Sequence, residues 1–288
     1  MAENARERIA LYYGSLSKGQ KKIADYISEN YERASFMTAA ELGKEIGVSE
    51  STVVRFASRI GFDGYPALQK NLRETVKSLL TSVQRMDVTN ANGDDDILEN
   101  AFLQDIETIR QMKETISRDA FDGSVKAINS AEKIYILGVR SSAALASFAA
   151  YYLGYIYDVV LVNTSSSTDM FEQMIHISDR DVCIAFSFPR YSTRTINALK
   201  FARSRGAGII SITDSELSPI AGYATHLLLA PSNMVSFVDS LAAPLSLVNA
   251  LIAAASLERK DEAHKRFEEL ESLWEEYDVY SVTGEDKQ

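Results

Sequence analysis

Five short, uninterrupted apolar runs after residue 130 constrain the fold of this chain more than any other feature. They recur at intervals of roughly 20 to 25 residues, which leaves room for a helix between neighbouring runs. Strands of a parallel sheet give this pattern because helices cover both faces of the sheet. The alternation predicts a doubly wound α/β sheet with right-handed crossovers. The runs are 134–137, 159–162, 182–186, 209–212 and 227–229.

Up to about residue 80, the apolar residues instead recur at the spacing of a helix, and residues that cap helices stand between these stretches. Ser17 and Thr38 each open a capping box, in which a hydroxyl accepts from a free amide and the residue three positions later bonds back. Gly47 suits a helix end, Ser49 can cap the following helix, and Pro66 suits a first helical turn. The expected helices lie near 17–30, 38–46, 49–60 and 66–79.

The second and third of these helices predict a helix-turn-helix that binds DNA. Gly43, Gly47 and Val53 stand at the spacing that two helices need to cross around a tight turn. The N-terminal end of the second helix would enter the major groove, where arginine can bind guanine. A helical bundle with a solvated polar face is the alternative. The expected DNA contacts are Ser49, Ser51, Thr52, Arg55, Ser58 and Arg59, with Lys18, Lys21, Lys22, Lys70 and Arg73 as possible phosphate contacts.

The net charge of −10 argues against a nucleic-acid partner only if the charge is spread evenly. Residues 1–80 hold 12 basic and 10 acidic side chains, whereas residues 81–288 hold 18 basic and 30 acidic ones. The N-terminal part is therefore mildly basic, and the excess negative charge lies in the rest of the chain. A polar, aspartate-rich stretch at 84–96 indicates a linker between the two parts.

Polar loops follow the first four predicted strands and together suggest an anion site. Ligands of an open parallel sheet bind at the carboxyl ends of the strands, where helix N-termini present free amides. Arg140 and Arg190 add positive charge, which strengthens hydrogen bonds to a phosphate. Helix capping alone also explains the hydroxyls of any single loop. The four loops are 138–142, 163–168, 187–193 and 213–219.

A dinucleotide site and enzymatic catalysis have weaker support. The first loop lacks the second glycine that a pyrophosphate needs, and Asn163 stands where an acidic residue would bind a ribose. Glu172, His176 and His226 are the best candidates for a general base, but a place in a helix or strand explains each of them. The single cysteine, Cys183, lies in a strand, and the scattered histidines form no metal cluster with it. We expect no catalytic residue, metal or cofactor.

Both parts of the sequence resemble domains of RpiR-family transcriptional regulators. Residues 16–72 are similar to their helix-turn-helix through Ser17-Lys-Gly-Gln-Lys-Lys-Ile-Ala-Asp-Tyr26, Thr38-Ala-Ala-Glu-Leu42, Gly47-Val-Ser-Glu-Ser-Thr-Val-Val-Arg-Phe56 and Gly61-Phe-Asp-Gly-Tyr65. The second part resembles their sugar isomerase (SIS) domain, which binds phosphosugars. The resemblance covers nearly the whole chain. It implies an all-α helix-turn-helix domain followed by an α/β SIS domain with a five-stranded parallel sheet, doubly wound and flavodoxin-like.

The resemblance also assigns residues of the anion site. The SIS pattern Gly-x-Gly-x-Ser corresponds to Gly138-Val-Arg-Ser-Ser142, and Ser-x-Ser-Gly-x-Ser/Thr corresponds to Ser187-Phe-Pro-Arg-Tyr-Ser192. Arg140 and Arg190 stand where the family has glycine, and Pro189 replaces a serine. These departures imply direct clamping of phosphate, a different anionic ligand or a narrowed site. The residues expected to bind a phosphosugar are Arg140, Ser141, Ser142, Ser187, Arg190, Ser192 and Thr193.

We therefore expect a cytoplasmic transcriptional regulator, a repressor, whose affinity for a double-stranded DNA operator is controlled by a bound phosphosugar. Tyr191 replaces a glutamate frequent in SIS domains, which implies sensing without turnover. The alternatives are a sugar-phosphate isomerase or lyase with an appended DNA-binding domain, and an α/β interaction module without a ligand. We expect a homodimer or homotetramer. We expect no membrane partner, since no apolar run could span a bilayer. The expected segments are a helix-turn-helix domain at 1–83, a linker and connecting helix at 84–118, the SIS domain at 119–260, and an acidic C-terminal helix and tail at 261–288.

Overall fold

The computed structural model describes residues 5–79, 81, 83–86, 96–163, 169–234 and 237–280. The N-terminal part is helical, and its helices are joined by short connections. They are α1 (Ala5–Tyr12), α2 (Lys18–Glu29), α3 (Tyr31–Phe36), α4 (Ala39–Ile46), α5 (Glu50–Arg59) and α6 (Gly64–Leu79). Residues 83–86 add one further helical turn.

Local capping starts the helices of the N-terminal part. The capping boxes predicted at Ser17 and Thr38 are both present, at the starts of α2 and α4. Ser49 occupies the N-cap position of α5, but its hydroxyl contacts the hydroxyls of Ser51 and Thr52 and bonds no backbone amide of the helix. The predicted start of α5 is therefore confirmed, whereas the predicted side-chain cap is wrong.

Two short helices, α1 and α3, were not among the predicted ones. Ile9 of α1 packs into the buried cluster of the N-terminal part. α3 is stabilised from α6, because Arg73 Nε donates to the Ser35 carbonyl oxygen (3.0 Å) and the Tyr65 hydroxyl donates to the Met37 carbonyl oxygen (2.7 Å). Short helices depend on such tertiary contacts, so their local sequence gives a weak signal.

The rest of the chain folds around a five-stranded parallel sheet with the order β2-β1-β3-β4-β5. The strands are β1 (Ile134–Gly138), β2 (Val159–Val162), β3 (Val182–Phe186), β4 (Gly208–Thr213) and β5 (His226–Leu229). They coincide with the five apolar runs, so the predicted α/β architecture is confirmed. The helices are α7 (Ile97–Thr115), α8 (Arg118–Ser130), α9 (Ala143–Leu153), α10 (Met170–Gln173), α11 (Thr193–Ser204), α12 (Ala242–Glu258) and α13 (Lys260–Glu276).

Both faces of the sheet are buried, which explains why its strands are uninterrupted apolar runs. Ile134 and Ile136 of β1 pack into a cluster that includes side chains of α8, α9 and α12. Tyr135 and Leu137 point to the other face and pack with side chains of α11. Cys183 lies fully buried in this second cluster, and burial raises the pKa of its thiol to about 12. Cys183 is therefore a core residue, which agrees with its place in a predicted buried strand.

The connection between the helical part and the sheet is only partly described, and so is the C-terminal tail. Residues 87–95 of the predicted linker and residues 281–288 of the predicted tail lie outside the described residues. The domain boundaries consequently stay predictions. In the part of the chain that the structure describes, no helix combines the length and the apolar character needed to cross a membrane.

Candidate functional site

α4 and α5 meet around a turn that leaves no space for a side chain at Gly43. A Cβ there would lie 2.8 Å from the Val48 carbonyl oxygen and 3.3 Å from the Glu50 amide nitrogen. The Val48 amide donates to the Gly43 carbonyl oxygen (2.9 Å), and Gly47 has a left-handed φ of 74°. The two glycines thus allow the tight turn of a helix-turn-helix, in which α5 is the second helix.

One face of α5 is buried and the other is exposed. Val53, Phe56 and Ala57 belong to the N-terminal core, which fixes the helix. On the exposed face, neither Arg55 nor Arg59 forms an ion pair with any residue that the structure describes. Their guanidinium groups can therefore bind an outside acceptor. Of the predicted DNA contacts, Ser49, Ser51, Arg55, Ser58 and Arg59 are exposed, and Thr52 is half-buried.

Cations on the neighbouring helices differ in their roles. Lys18 and Lys22 of α2 and Lys70 of α6 are exposed, as a contact to phosphate requires. Arg73 instead donates to the Ser35 carbonyl oxygen and so stabilises α3. Its predicted contact with DNA phosphate would compete with this structural hydrogen bond.

A cavity of about 170 Å³ opens at the carboxyl edge of the sheet, beside the loops after β1 and β3. The strand order places β1 between β2 and β3, and this is the position where crossovers diverge and leave a crevice. The volume is below the roughly 300–1,000 Å³ of drug-sized ligand sites, so the cavity suits a small ligand. Its polar and charged lining consists of Arg85, Arg140, Ser141, Ser142, Ser187, Arg190, Ser192 and Asp239, and Pro189 and Phe237 are among its apolar residues.

Six of the seven predicted phosphosugar ligands line this cavity, and Thr193 does not. Ser142 and Ser187 are buried, with 6% and 3% of their surface exposed, so bulk water has little access to them. Ser192 is half-buried, and its hydroxyl accepts from the Arg194 amide (3.3 Å). Helix capping therefore accounts for Ser192 in this structure, whereas Ser142 and Ser187 are better placed to bind a ligand.

The prediction that four loops share one site needs correction. The loop after β4 does not line the cavity. It supports the loop after β3, because Thr213 Oγ1 donates to the Ser187 carbonyl oxygen (2.6 Å) and the Tyr191 hydroxyl donates to Asp214 Oδ1 (3.0 Å). β4 lies one strand beyond the crevice, which explains this supporting position. Residues 164–168 of the loop after β2 lie outside the described residues.

Arg140 and Arg190 have left-handed backbone, with φ of 57° and 67°. The family pattern has glycine at both positions, and glycine alone adopts this conformation without strain. Left-handed backbone costs other residues about 1–2 kcal/mol each. Among described residues other than glycine, only these two and Asp278 have a positive φ. Strained residues concentrate at functional sites, so the two arginines support a role for the cavity in anion binding.

Arg85 and Asp239 also line the cavity, although the sequence did not predict either of them as a site residue. Arg85 belongs to the predicted linker, far along the chain from the loops of the sheet. Its Nη1 donates to both carboxylate oxygens of Asp239, at 2.8 Å each, and its side chain is 2% exposed. No local pattern marks either residue, since only the tertiary structure brings them together.

None of the three candidate general bases lines the cavity. Glu172 closes a capping box with Asp169 at the start of α10, and His176 is exposed. His226 packs against α8, where a Cβ at Gly123 would lie 2.5 Å from its ring. Structural roles thus explain Glu172 and His226. In the described ranges, no three His, Cys, Asp or Glu side chains lie close enough to hold a metal ion.

Known proteins match the chain over both of its parts. The model of the helix-turn-helix domain of the rpiR family matches residues 3–78, and that of the SIS domain matches residues 127–254. An uncharacterized HTH-type transcriptional regulator of Haemophilus influenzae is 31% identical over an alignment of 242 residues that covers 78% of this chain and 79% of that protein.

Two solved structures share the fold. The sugar isomerase domain of an RpiR transcription factor from Sphaerobacter thermophilus is 26% identical, with a TM-score of 0.57, over 62% of this chain and 99% of that chain. The Vibrio vulnificus NanR protein, solved in complex with ManNAc-6P, is 21% identical, with a TM-score of 0.59, over 97% of this chain and all of that one. The second comparison shows the fold alone.

The observed elements agree with these matches. α4 and α5 lie within the region that matches the helix-turn-helix domain, and β1 to β5 lie within the region that matches the SIS domain. The chain belongs to the RpiR family of HTH-type transcriptional regulators, with an N-terminal helix-turn-helix and a C-terminal SIS domain.

Proposed function

We propose that this regulator binds a phosphosugar in the cavity beside β1 and β3 and changes its affinity for operator DNA in response. The observation that carries the proposal is the joint presence of Ser142, Ser187, Arg140 and Arg190 around one small cavity. Hydroxyl donors and guanidinium groups suit a phosphate dianion, because charge-assisted hydrogen bonds are the stronger ones. NanR, which has the same fold, was solved with ManNAc-6P, and this supports a phosphosugar as the class of ligand.

A titration tests this proposal directly. Operator DNA is first selected from a random-sequence pool with the purified protein. Its affinity is then measured by gel shift against a panel of hexose and amino-sugar phosphates and their unphosphorylated sugars. We expect one phosphosugar to change operator affinity by about 5-fold to 150-fold, the usual range of coupling between two sites. If no phosphosugar on the panel changes operator affinity, the sensing proposal is wrong.

Arg55→Ala is expected to weaken operator binding by about 1–3 kcal/mol and to relax specificity at one base pair. The exposed guanidinium of Arg55 lies on the face of α5 that would enter the major groove. Fluorescence anisotropy with the selected operator and its single-base variants measures both effects. Lys126→Ala on α8 is the control, since it removes one exposed positive charge outside the helix-turn-helix. Equal losses in the two variants would exclude Arg55 from base recognition.

We infer that the cavity binds its ligand without turning it over. An isomerase needs a general base close to the substrate carbon. Among the described residues of the lining, Asp239 is the one carboxylate, histidine is absent, and Asp239 is bonded to Arg85. Turnover of any phosphosugar by the purified protein would instead favour the alternative, a sugar-phosphate isomerase or lyase with an appended DNA-binding domain.

We further propose that α7 contributes to a homodimer or homotetramer. Leu98, Phe102 and Ile106 follow one another at intervals of one helical turn, and their exposed fractions are 69%, 59% and 63%. A contiguous exposed apolar stripe indicates a partner, and a second copy supplies a matching stripe in a two-fold dimer. Sedimentation equilibrium measures the assembly.

We also propose that the protein is cytoplasmic and that it acts as a repressor. The domain bounds that we propose divide the chain into the segments 1–83, 84–118, 119–260 and 261–288.

A further inference from the structure

Arg85 forms part of the cavity wall although it comes from the connection that follows the DNA-binding helices. It lies in the helical turn at 83–86, a few residues after the end of α6. Its buried guanidinium is paired with Asp239, which precedes α12 and also lines the cavity. The ion pair therefore joins the connection to the sheet domain at the site where an anion would bind.

The segments that carry this ion pair also contact the helical N-terminal part. Gln84, the neighbour of Arg85, donates from Nε2 to Glu32 Oε1 of α3 (3.3 Å). Met234 forms a β-bridge with Asp239 and packs against the buried cluster of the N-terminal helices. A change in the pairing of Arg85 and Asp239 would thus act on two contacts with the DNA-binding part.

A phosphate in the cavity would compete with Asp239 for the guanidinium of Arg85. Arginine presents several donors in a planar fork, which matches carboxylate and phosphate alike. The phosphate carries up to two negative charges against one on Asp239, and Arg140 and Arg190 line the same small cavity. Bringing Asp239 and a phosphate together also places like charges close to each other, which favours separation of the existing pair.

We propose that Arg85 is a ligand-binding residue and that Asp239 holds it in place while the cavity is empty. Phosphate binding draws Arg85 away from Asp239 and thereby shifts the helical turn at 83–86 and its contact with α3. This inference rests on the proposed sensing function and names the residue pair that couples it to DNA binding. By linkage, operator binding changes phosphate affinity by the same factor as phosphate changes operator affinity.

Opposite effects of two substitutions test the proposal. The probe is inorganic phosphate, titrated by calorimetry at constant ionic strength into the full chain. Arg85→Gln is expected to weaken phosphate binding roughly ten-fold or more, because a hydrogen bond to a charged group is lost. Asp239→Asn is expected to tighten it about three-fold or more, because the competing carboxylate is gone. Arg180→Gln is the matched control, since it breaks an exposed ion pair with Glu132 away from the cavity.

The double variant Arg85→Gln/Asp239→Asn keeps the test valid if a single variant does not fold, since it replaces both partners of the described ion pair with neutral side chains. We expect it to bind phosphate weakly and to lose most of the effect of phosphate and phosphosugars on operator affinity. Unchanged phosphate affinity in Arg85→Gln, or equal weakening in both single variants, would overturn the proposal while the sensing function stands. If the unaltered protein binds neither phosphate nor any phosphosugar of the panel, the sensing function itself is wrong.

Discussion

Gly138→Ala is expected to lower the free energy of unfolding by about 3 kcal/mol and to abolish the response to phosphosugar. Gly138 ends β1 beneath the cavity loop, and a Cβ there would overlap the Ser142 carbonyl oxygen and would lie 2.9 Å from the Ala146 Cβ. Both neighbours belong to the chain that starts α9, so neither can move without displacing Ser142. Urea denaturation followed by circular dichroism measures the stability, and the gel-shift titration measures the response.

Gly208→Ala is the control for this substitution. Gly208 begins β4 in the same sheet, but a Cβ there would meet its nearest atoms at ordinary distances, 3.7 Å from Val182 Cγ2 and 3.8 Å from the Asp181 carbonyl oxygen. We expect a change of less than about 1 kcal/mol and a preserved response. Equal stability and equal responses in the two variants would contradict the close approach of β1 to the loop of Ser142.

The sheet was predictable from the sequence because burial on both faces leaves a direct mark on each strand. The runs at 134–137 and 182–186 became β1 and β3 with at most one residue added. The helix-turn-helix was predictable for a related reason. Gly43 and Gly47 are required by the turn itself, so their spacing carries the geometry. Local physical constraints of this kind can be recognised without knowledge of the tertiary structure.

The arrangement of the cavity depends on strand order, which the apolar runs do not encode. The sequence does not distinguish the loops after the first four strands, yet β1 and β3 flank the crevice, and the loop of Thr213 supports its neighbour. Arg85 and Asp239 could not be found in advance, because they are more than 150 residues apart in the chain. Their pairing is a property of the packed structure alone.

The sequence shows that Arg140 and Arg190 replace glycines of the SIS pattern, but it does not show what role the two arginines have. The sequence left clamping, another anion or a narrowed site as open interpretations. The structure adds that both arginines adopt backbone conformations that glycine would adopt more easily. A narrowed site would need only a bulky side chain, which gives no reason for arginine in a strained conformation. Binding an anion does give such a reason, because it needs the positive charge. We therefore favour direct binding of an anion by the two arginines over a narrowed site.

The double substitution Arg140→Ala/Arg190→Ala is expected to weaken phosphosugar binding at least roughly 100-fold. Each hydrogen bond to a charged group contributes about 1.5–3 kcal/mol, and at least one such bond is lost at each position. Both residues line the cavity and are exposed, so no other described element has to move for the loss to occur. Isothermal titration calorimetry with the phosphosugar identified on the panel measures the change. Binding at the original affinity would place the anion away from both arginines.

Glycine at the same two positions separates the role of the charge from the cost of the backbone. Arg140→Gly/Arg190→Gly removes the same charges and also relieves the strain of the left-handed backbone, whose φ values are 57° and 67°. Alanine retains a strain of about 1–2 kcal/mol per residue, and the greater freedom of unfolded glycine offsets about 0.5–1 kcal/mol of the relief. We expect the glycine variant to be about 1–2 kcal/mol more stable than the alanine variant in urea denaturation, with equally weak phosphosugar binding. Equal stability of the two variants would mean that these positions are unstrained, and the backbone of the two arginines would then give no support for anion binding.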